Sequence, residues 1–263
     1  MAAKSSLTSR RSFASLLSWL DVLAITAWGI LLLKYWLTGQ LNVLIHPDYR
    51  WLTVVAGVGL LVIGALKGLQ LFWMLKKRPS RRTILPTMHH VTLFPPGWSS
   101  GLLLATAILG LAIAPKAFAS QTAMQRGVTD LVSVTRSRPQ AFRVSVKPEQ
   151  RSLIDWMRTL NVYPEPDAYT GQKVKVQGFV IHTPELPDQY FMLSRFVITC
   201  CAADAYPVGL PVKLKESRRD YPPDTWLEVE GQMITENLLN KRQLTIQPIS
   251  LKKISEPKNP YDY

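Results

Sequence analysis

Two adjacent cysteines, Cys200 and Cys201, are the only ones in this 263-residue chain. They sit in Arg195-Phe196-Val197-Ile198-Thr199-Cys200-Cys201-Ala202-Ala203-Asp204-Ala205. Neighbouring thiolates can chelate a soft centre such as Cu(I), Zn(II) or a trivalent arsenical. In a regular strand consecutive side chains point to opposite faces, so chelation requires the pair to lie in a turn. The small-residue run from Ala202 to Ala205 favours one, with Asp204 completing the site or capping the turn and Arg195 helping to shape it. Two other readings stay open. One is a vicinal disulfide, in which the Cα separation of about 3.8 Å across a trans peptide falls below the usual disulfide range. It would need an oxidising compartment. The other is a pair of buried small apolar side chains. A disulfide scaffold and a four-cysteine zinc site are both excluded.

The four histidines add little metal chemistry. His46 precedes Pro47, Asp48 and Tyr49, His89 and His90 are adjacent, and His182 ends an apolar run. None has ligand spacing; His46, Asp48 and Tyr49, with Arg195, are candidates for substrate or partner contact. No HExxH pattern, phosphate loop or Ser-His-Asp order is present, so no enzymatic activity is expected.

The net charge of +13 is unevenly placed. Residues 1–116 hold twelve Lys and Arg against Asp21 and Asp48, an excess of ten; residues 117–263 hold nineteen against sixteen acids, an excess of three. A nucleic-acid binder concentrates its positive charge on the folded domain. Here it flanks long apolar runs, which points to a lipid bilayer as partner and away from nucleic acid.

Three runs pass the length test for spanning a bilayer, about 20 residues each. They cover residues 19–37, 51–75 and 98–118, the third being the shortest in strictly apolar residues. Trp19, Tyr35, Trp36, Trp51, Phe72, Trp73 and Trp98 occupy interfacial positions. Lys34 and Lys67 interrupt the runs as snorkelling side chains or as polar groups in a substrate path. Gly64 and Gly68 have the spacing that admits a second helix at close range. Lys4, Arg10 and Arg11 precede the first run, and Lys76, Lys77, Arg78, Arg81 and Arg82 follow the second. The positive-inside rule then places the N-terminus in the cytoplasm and, after three crossings, the C-terminal domain outside. Ala117-Phe118-Ala119 matches a signal-peptidase pattern, although a third internal helix rarely serves as a cleavable signal.

Residues 119–147 read as a linker. Residues 147–160 carry Leu153, Ile154, Met157 and Leu160 at helical spacing, predicting a short leading helix. Beyond Gly171 the period becomes two, predicting strands over 173–181, 190–199, 208–214, 226–234 and 243–251. Five short strands with Gly178 in the first predict a small all-β domain over 148–263, a five-stranded OB-like barrel, with a β-sandwich fragment as the other possibility.

The residues that carry a resemblance are now in view: His46-Pro47-Asp48-Tyr49; Tyr169-Thr170-Gly171-Gln172-Lys173-Val174 with Gly178-Phe179-Val180; the Arg195–Ala205 stretch followed by Pro207-Val208-Gly209; and Trp226-Leu227-Glu228-Val229-Glu230-Gly231. In these the chain resembles the YcgQ-like permease subunits, bacterial membrane proteins; residues 81–96 are longer than the family's usual membrane loops. The resemblance implies a multi-helix permease as partner, similar to arsenical exporters, with this chain as its accessory subunit in the inner membrane. Its barrel would bind or gate a soft metal or metalloid. The alternatives are a membrane-tethered metal or haem chaperone and a non-catalytic envelope scaffold.

Overall fold

A computed structural model describes residues 2–76, 95–127 and 147–263, with the backbone alone over residues 2–14. Lys77, Arg78, Arg81, Arg82, His89, His90 and residues 128–146 of the expected linker lie outside the described residues. The chain divides into two compact units: residues 1–41 with 47–115, and residues 42–46 with 116–263.

The first unit is helical. Helix α1 spans Ala2–Leu37, α2 Arg50–Lys76 and α3 Trp98–Ala112. Two stretches, Ser15–Leu37 and Pro47–Lys76, are helical, long and apolar enough to cross a membrane. The third apolar helix is shorter than the 98–118 expected from composition. It stops at Ala112 because Pro115 disfavours helical geometry at the residue before it, and Ile113 already takes an extended conformation.

Helix α1 packs against both others. A Cβ on Gly64 would lie 2.5 Å from Thr26 Oγ1, and one on Gly57 3.0 Å from Leu33. Gly64 and Gly57 therefore let α2 approach α1 antiparallel, whereas a Cβ on Gly68 would make only an ordinary 3.7 Å contact with Val22. Helix α3 runs parallel to α1. Ser100 donates to Asp21, Trp28 Nε1 to the Leu103 carbonyl at 2.9 Å, Tyr35 Oη to that of Gly110 at 2.6 Å, and Lys34 Nζ to that of Leu111 at 2.7 Å. The last two meet carbonyls that a helix C-terminus leaves without internal partners, and the ammonium also meets the negative end of the helix dipole. Lys34 is a helix cap in this arrangement; Lys67 is exposed.

In the second unit α4 (Ser120–Gln125) and α5 (Leu153–Val162) accompany six strands: β1 Lys173–Ile181, β2 Tyr190–Val197, β3 Tyr206–Lys213, β4 Trp226–Leu238, β5 Lys241–Lys253 and β6 Tyr261–Asp262. Helix α5 starts at a capping box, in which Asp155 N donates to Ser152 Oγ at 3.2 Å and Ser152 N to Asp155 Oδ2 at 3.1 Å. One sheet runs in the order β1-β4-β5-β3-β2-β6, and β1 also pairs with β2. The pairings are antiparallel except β3 with β5 and β2 with β6. Strand β1 changes partner at Phe179, which faces both Trp226 of β4 and Ser194 of β2. At Gly178 a Cβ would sit 2.6 Å from the Ser194 carbonyl oxygen, so the close crossing of β1 over β2 requires glycine.

The period of two sorts β1 and β2 into two buried faces. Val174, Val176, Val180, Phe191 and Leu193 meet Leu153, Trp156 and Met157 of α5 and the apolar residues of β3, β4 and β5. Phe179, Ile181, Met192 and Phe196 meet Ala123 of α4, Phe118 and Tyr261. Covering both faces is why these strands read as near-continuous apolar runs. It also draws in residues 117–118, expected to end the third apolar run, and Ala123, expected to lie in the linker.

Candidate functional site

After Val197 strand β2 ends, and the chain turns through Thr199 and the two cysteines into a 3-10 turn at Ala202–Asp204. Asp204 is what bends it. Its Oδ2 accepts from the Cys200 N–H at 2.8 Å and from the Thr199 hydroxyl, and its Oδ1 accepts from the Cys201 N–H at 3.2 Å. Cys201 is the N-cap of the turn, in a capping-box arrangement with Asp204. Both amide groups that a strand would spend on a neighbour are thus spent locally, and the side chains of successive residues converge. Cys200 Sγ and Cys201 Sγ stand 3.6 Å apart. The ligand atoms of Cys200, Cys201 and Asp204 all lie within 4.8 Å of one another. Cys200 is exposed and Cys201 half-buried.

The carboxylate shapes the electrostatics. Its hydrogen bond to Cys200, together with that of Cys201, pushes the Cys200 thiol up to about 11. Burial pushes the Asp204 carboxyl up, but the hydrogen bonds from Thr199, Cys200 and Cys201 outweigh it, so Asp204 titrates below the usual aspartate range.

The turn is pinned from two sides. The His46 N–H donates to the Cys200 carbonyl at 3.0 Å, the Ala202 N–H to the Leu44 carbonyl at 2.8 Å, and Ile45 pairs with Cys201 in an antiparallel bridge. Arg126 donates to the Ala205 carbonyl and, at 3.5 Å, to that of Ala202. Nothing local in the sequence marks Leu44, Ile45 or Arg126 as neighbours of the thiols. The Thr199-to-Asp204 spacing and the small residues between are the one signal that was there to read.

The other candidates fall elsewhere. Arg195, expected beside the turn, instead holds the C-terminal segment: it donates to the Asn259 carbonyl at 2.7 Å and pairs with Asp262 at 3.2 Å. The reason is directional, since Arg195 lies inside β2 and next to β6. His46 reaches the turn through its backbone, while its ring stands edge-on to Tyr263 with centroids 4.8 Å apart. Asp48 and Tyr49 lie in a 3-10 turn, Pro47–Tyr49, of the helical unit. His182 bonds the Tyr221 carbonyl at 2.8 Å.

A helical unit with two membrane-length helices, followed by a β domain that presents a two-thiol turn, defines the class of protein. More particularly, residues 20–129 match the DUF1980 N-terminal domain and residues 136–263 the DUF1980 C-terminal domain, so the chain carries both domains of that family in order. No curated protein matches the chain.

Proposed function

We propose that this protein is an accessory subunit of a bacterial multi-helix permease, anchored in the cell membrane by three helices. On the non-cytoplasmic side it presents a soft metal or metalloid site on an OB-like barrel. The observation that carries the reading is the thiol turn itself: two convergent sulfurs, braced by Asp204 and paired with residues 44–46, the segment between the two membrane-length helices.

The barrel reading draws on the pairing of β1 with both β2 and β4, which runs the strands in a ring, β1-β2-β3-β5-β4-β1, with the parallel β3–β5 contact of an OB fold. Three crossings are supported by the parallel course of α1 and α3. Fifteen residues of α3 rise only about 22 Å against a hydrocarbon thickness of about 30 Å. Lys34 and Tyr35 offset that shortfall, because they satisfy carbonyls that would otherwise face lipid. An odd number of crossings also puts residues 42–46 and the chain after α3 on one side, and both belong to the C-terminal unit. The subunit would have no catalytic role; its barrel would load or gate the permease mouth.

The test is purification of the tagged protein from its native membrane in mild detergent, with mass spectrometry of associated proteins and elemental analysis. The expected result is a permease in stoichiometric amount. A protein recovered alone but carrying a soft element would overturn the subunit reading in favour of a tethered chaperone.

A further inference from the structure

Building on the soft-site reading above, we propose that the Cys200-Cys201 turn is a two-sulfur chelate for a trivalent pyramidal metalloid of the arsenous or antimonous acid class, with Asp204 bracing the turn rather than binding the ligand.

The first ground is the distance between the sulfurs. A centre held symmetrically at a metal–sulfur bond length of about 2.3 Å subtends an angle of about 100° across 3.6 Å. A linear two-coordinate ion at the same bond length needs its sulfurs about 4.6 Å apart. On a turn whose peptide groups are tied to Asp204, Leu44 and His46, reaching that separation would take the two side chains out of the rotamers in which they converge.

The second ground is the engagement of Asp204. Its two oxygens already accept from the Thr199 hydroxyl, the Cys200 N–H and the Cys201 N–H. Three of the carboxylate's roughly four acceptor sites are thus taken by the bonds that make the thiols converge, which hold it to the turn. The protein therefore offers two sulfurs and keeps the carboxylate for itself. Among the described residues the donor cluster is Cys200, Cys201 and Asp204, with no fourth member.

Ligand demand then separates the soft species. Zinc seeks four donors in a closed site, and two would have to come from solvent at an exposed turn. A trivalent metalloid oxyacid supplies its own hydroxyl and lone pair and asks for two thiols. The exchange balances without redox change: As(OH)3 and two S–H groups give (S)2As–OH and two waters. Two As–O bonds break, two As–S bonds form, and each thiol proton leaves in a water molecule. The exposure of Cys200 gives the oxyacid its path of entry.

The experiment uses the full chain in detergent micelles. Arsenous acid and Zn(II) are titrated separately, free thiols are counted with an aromatic disulfide reagent, and the complex is weighed as an intact protein. We expect one arsenic per chain to mask both thiols. Cys200→Ser and Cys201→Ser should each weaken binding by at least about 100-fold, because the second As–S bond is intramolecular in the wild type. Asp204→Asn, which keeps both sulfurs and one acceptor oxygen of the brace, should weaken binding less than either serine variant and still take one arsenic; a loss as large as that of the serine variants would overturn the assignment of the two sulfurs alone as ligands. Zn(II) masking both thiols at lower concentration than arsenous acid would overturn this inference and leave the soft-site reading standing. Masking by neither probe would overturn both.

Discussion

Asp204 Oδ2 accepts a hydrogen bond from the Cys200 backbone N–H at 2.8 Å, and the same carboxylate, with Cys201, raises the Cys200 thiol to about 11. One side chain thus both gathers the sulfurs and disfavours the thiolate of the exposed one. The carboxylate acts as a brake on thiolate formation at Cys200.

Removing the charge releases the brake. Asp204 and Cys201 together raise Cys200 to about 11, so Asp204→Asn should lower its alkylation midpoint by the carboxylate's share. Each unit of that shift raises the alkylation rate at pH 8 about tenfold. Iodoacetamide kinetics against pH in the Cys201→Ser background, with and without Asp204→Asn, measure it; an unchanged midpoint would refute the electrostatic role.

The acid limb of stability should carry the same signature. Asp204 titrates lower in the folded protein than in the unfolded chain, so its contribution is present above the unfolded aspartate range and is lost as pH falls through the folded one. Thermal unfolding between pH 6 and pH 3 should therefore flatten in Asp204→Asn relative to wild type. Asp262 works in the opposite sense. Burial raises it above the usual range despite Arg195, so its contribution is lost as pH rises through that raised value.

Arg195 and Asp262 form a nearly buried pair that fastens β6 to β2. Arg195→Leu leaves the Asp262 carboxylate without its cation and should cost about 3 kcal/mol or more. Asp262→Asn in the same background should return part of that loss. Chemical denaturation of the three variants in detergent decides it, and an Arg195→Leu protein as stable as wild type would show the pair to be idle.

The helical unit offers a paired test. Gly64→Leu drives a side chain into Thr26 and should destabilise the unit by roughly 1–3 kcal/mol. A Cβ at Gly59 would meet nothing within 4 Å, so Gly59→Ala should cost no packing. Equal effects from the two would contradict the packing of α1 on α2.

Lys34→Leu should expose the C-terminal carbonyls of α3, with a cost of about 1–3 kcal/mol for the group left unsatisfied. Lys34→Arg should largely preserve the cap. The melting temperature in detergent micelles separates the two substitutions.

Strand β1 was legible to the residue because a period of two between clear turns leaves little freedom. Strand β6 was not, since the two residues Tyr261 and Asp262 carry no period at all. Helix α4 was invisible for a related reason: Ser120–Gln125 is mostly polar, and Ala123 is buried only because an aromatic face lies beneath it. The run from Trp98 to Phe118 looked like one span because composition does not register where hydrogen bonding ends. The thiols were legible as a pair, and the need for a turn followed from strand geometry. What pins that turn was not, because Leu44, His46 and Arg126 are distant in the chain. Arg195 misled by proximity in sequence, since a strand carries its side chain away from the turn that follows it.

The bridge between Ile45 and Cys201 also sets an order of events during synthesis. Residues 44–46 emerge about 150 residues before the cysteines they hold, an interval of roughly 10–30 s at ribosomal speed. During that interval it is residues 44–46 that stand without their partner, since the cysteines are not yet made. The early segment is therefore already made when the two cysteines emerge, whereas strands β3 to β6 have still to follow them.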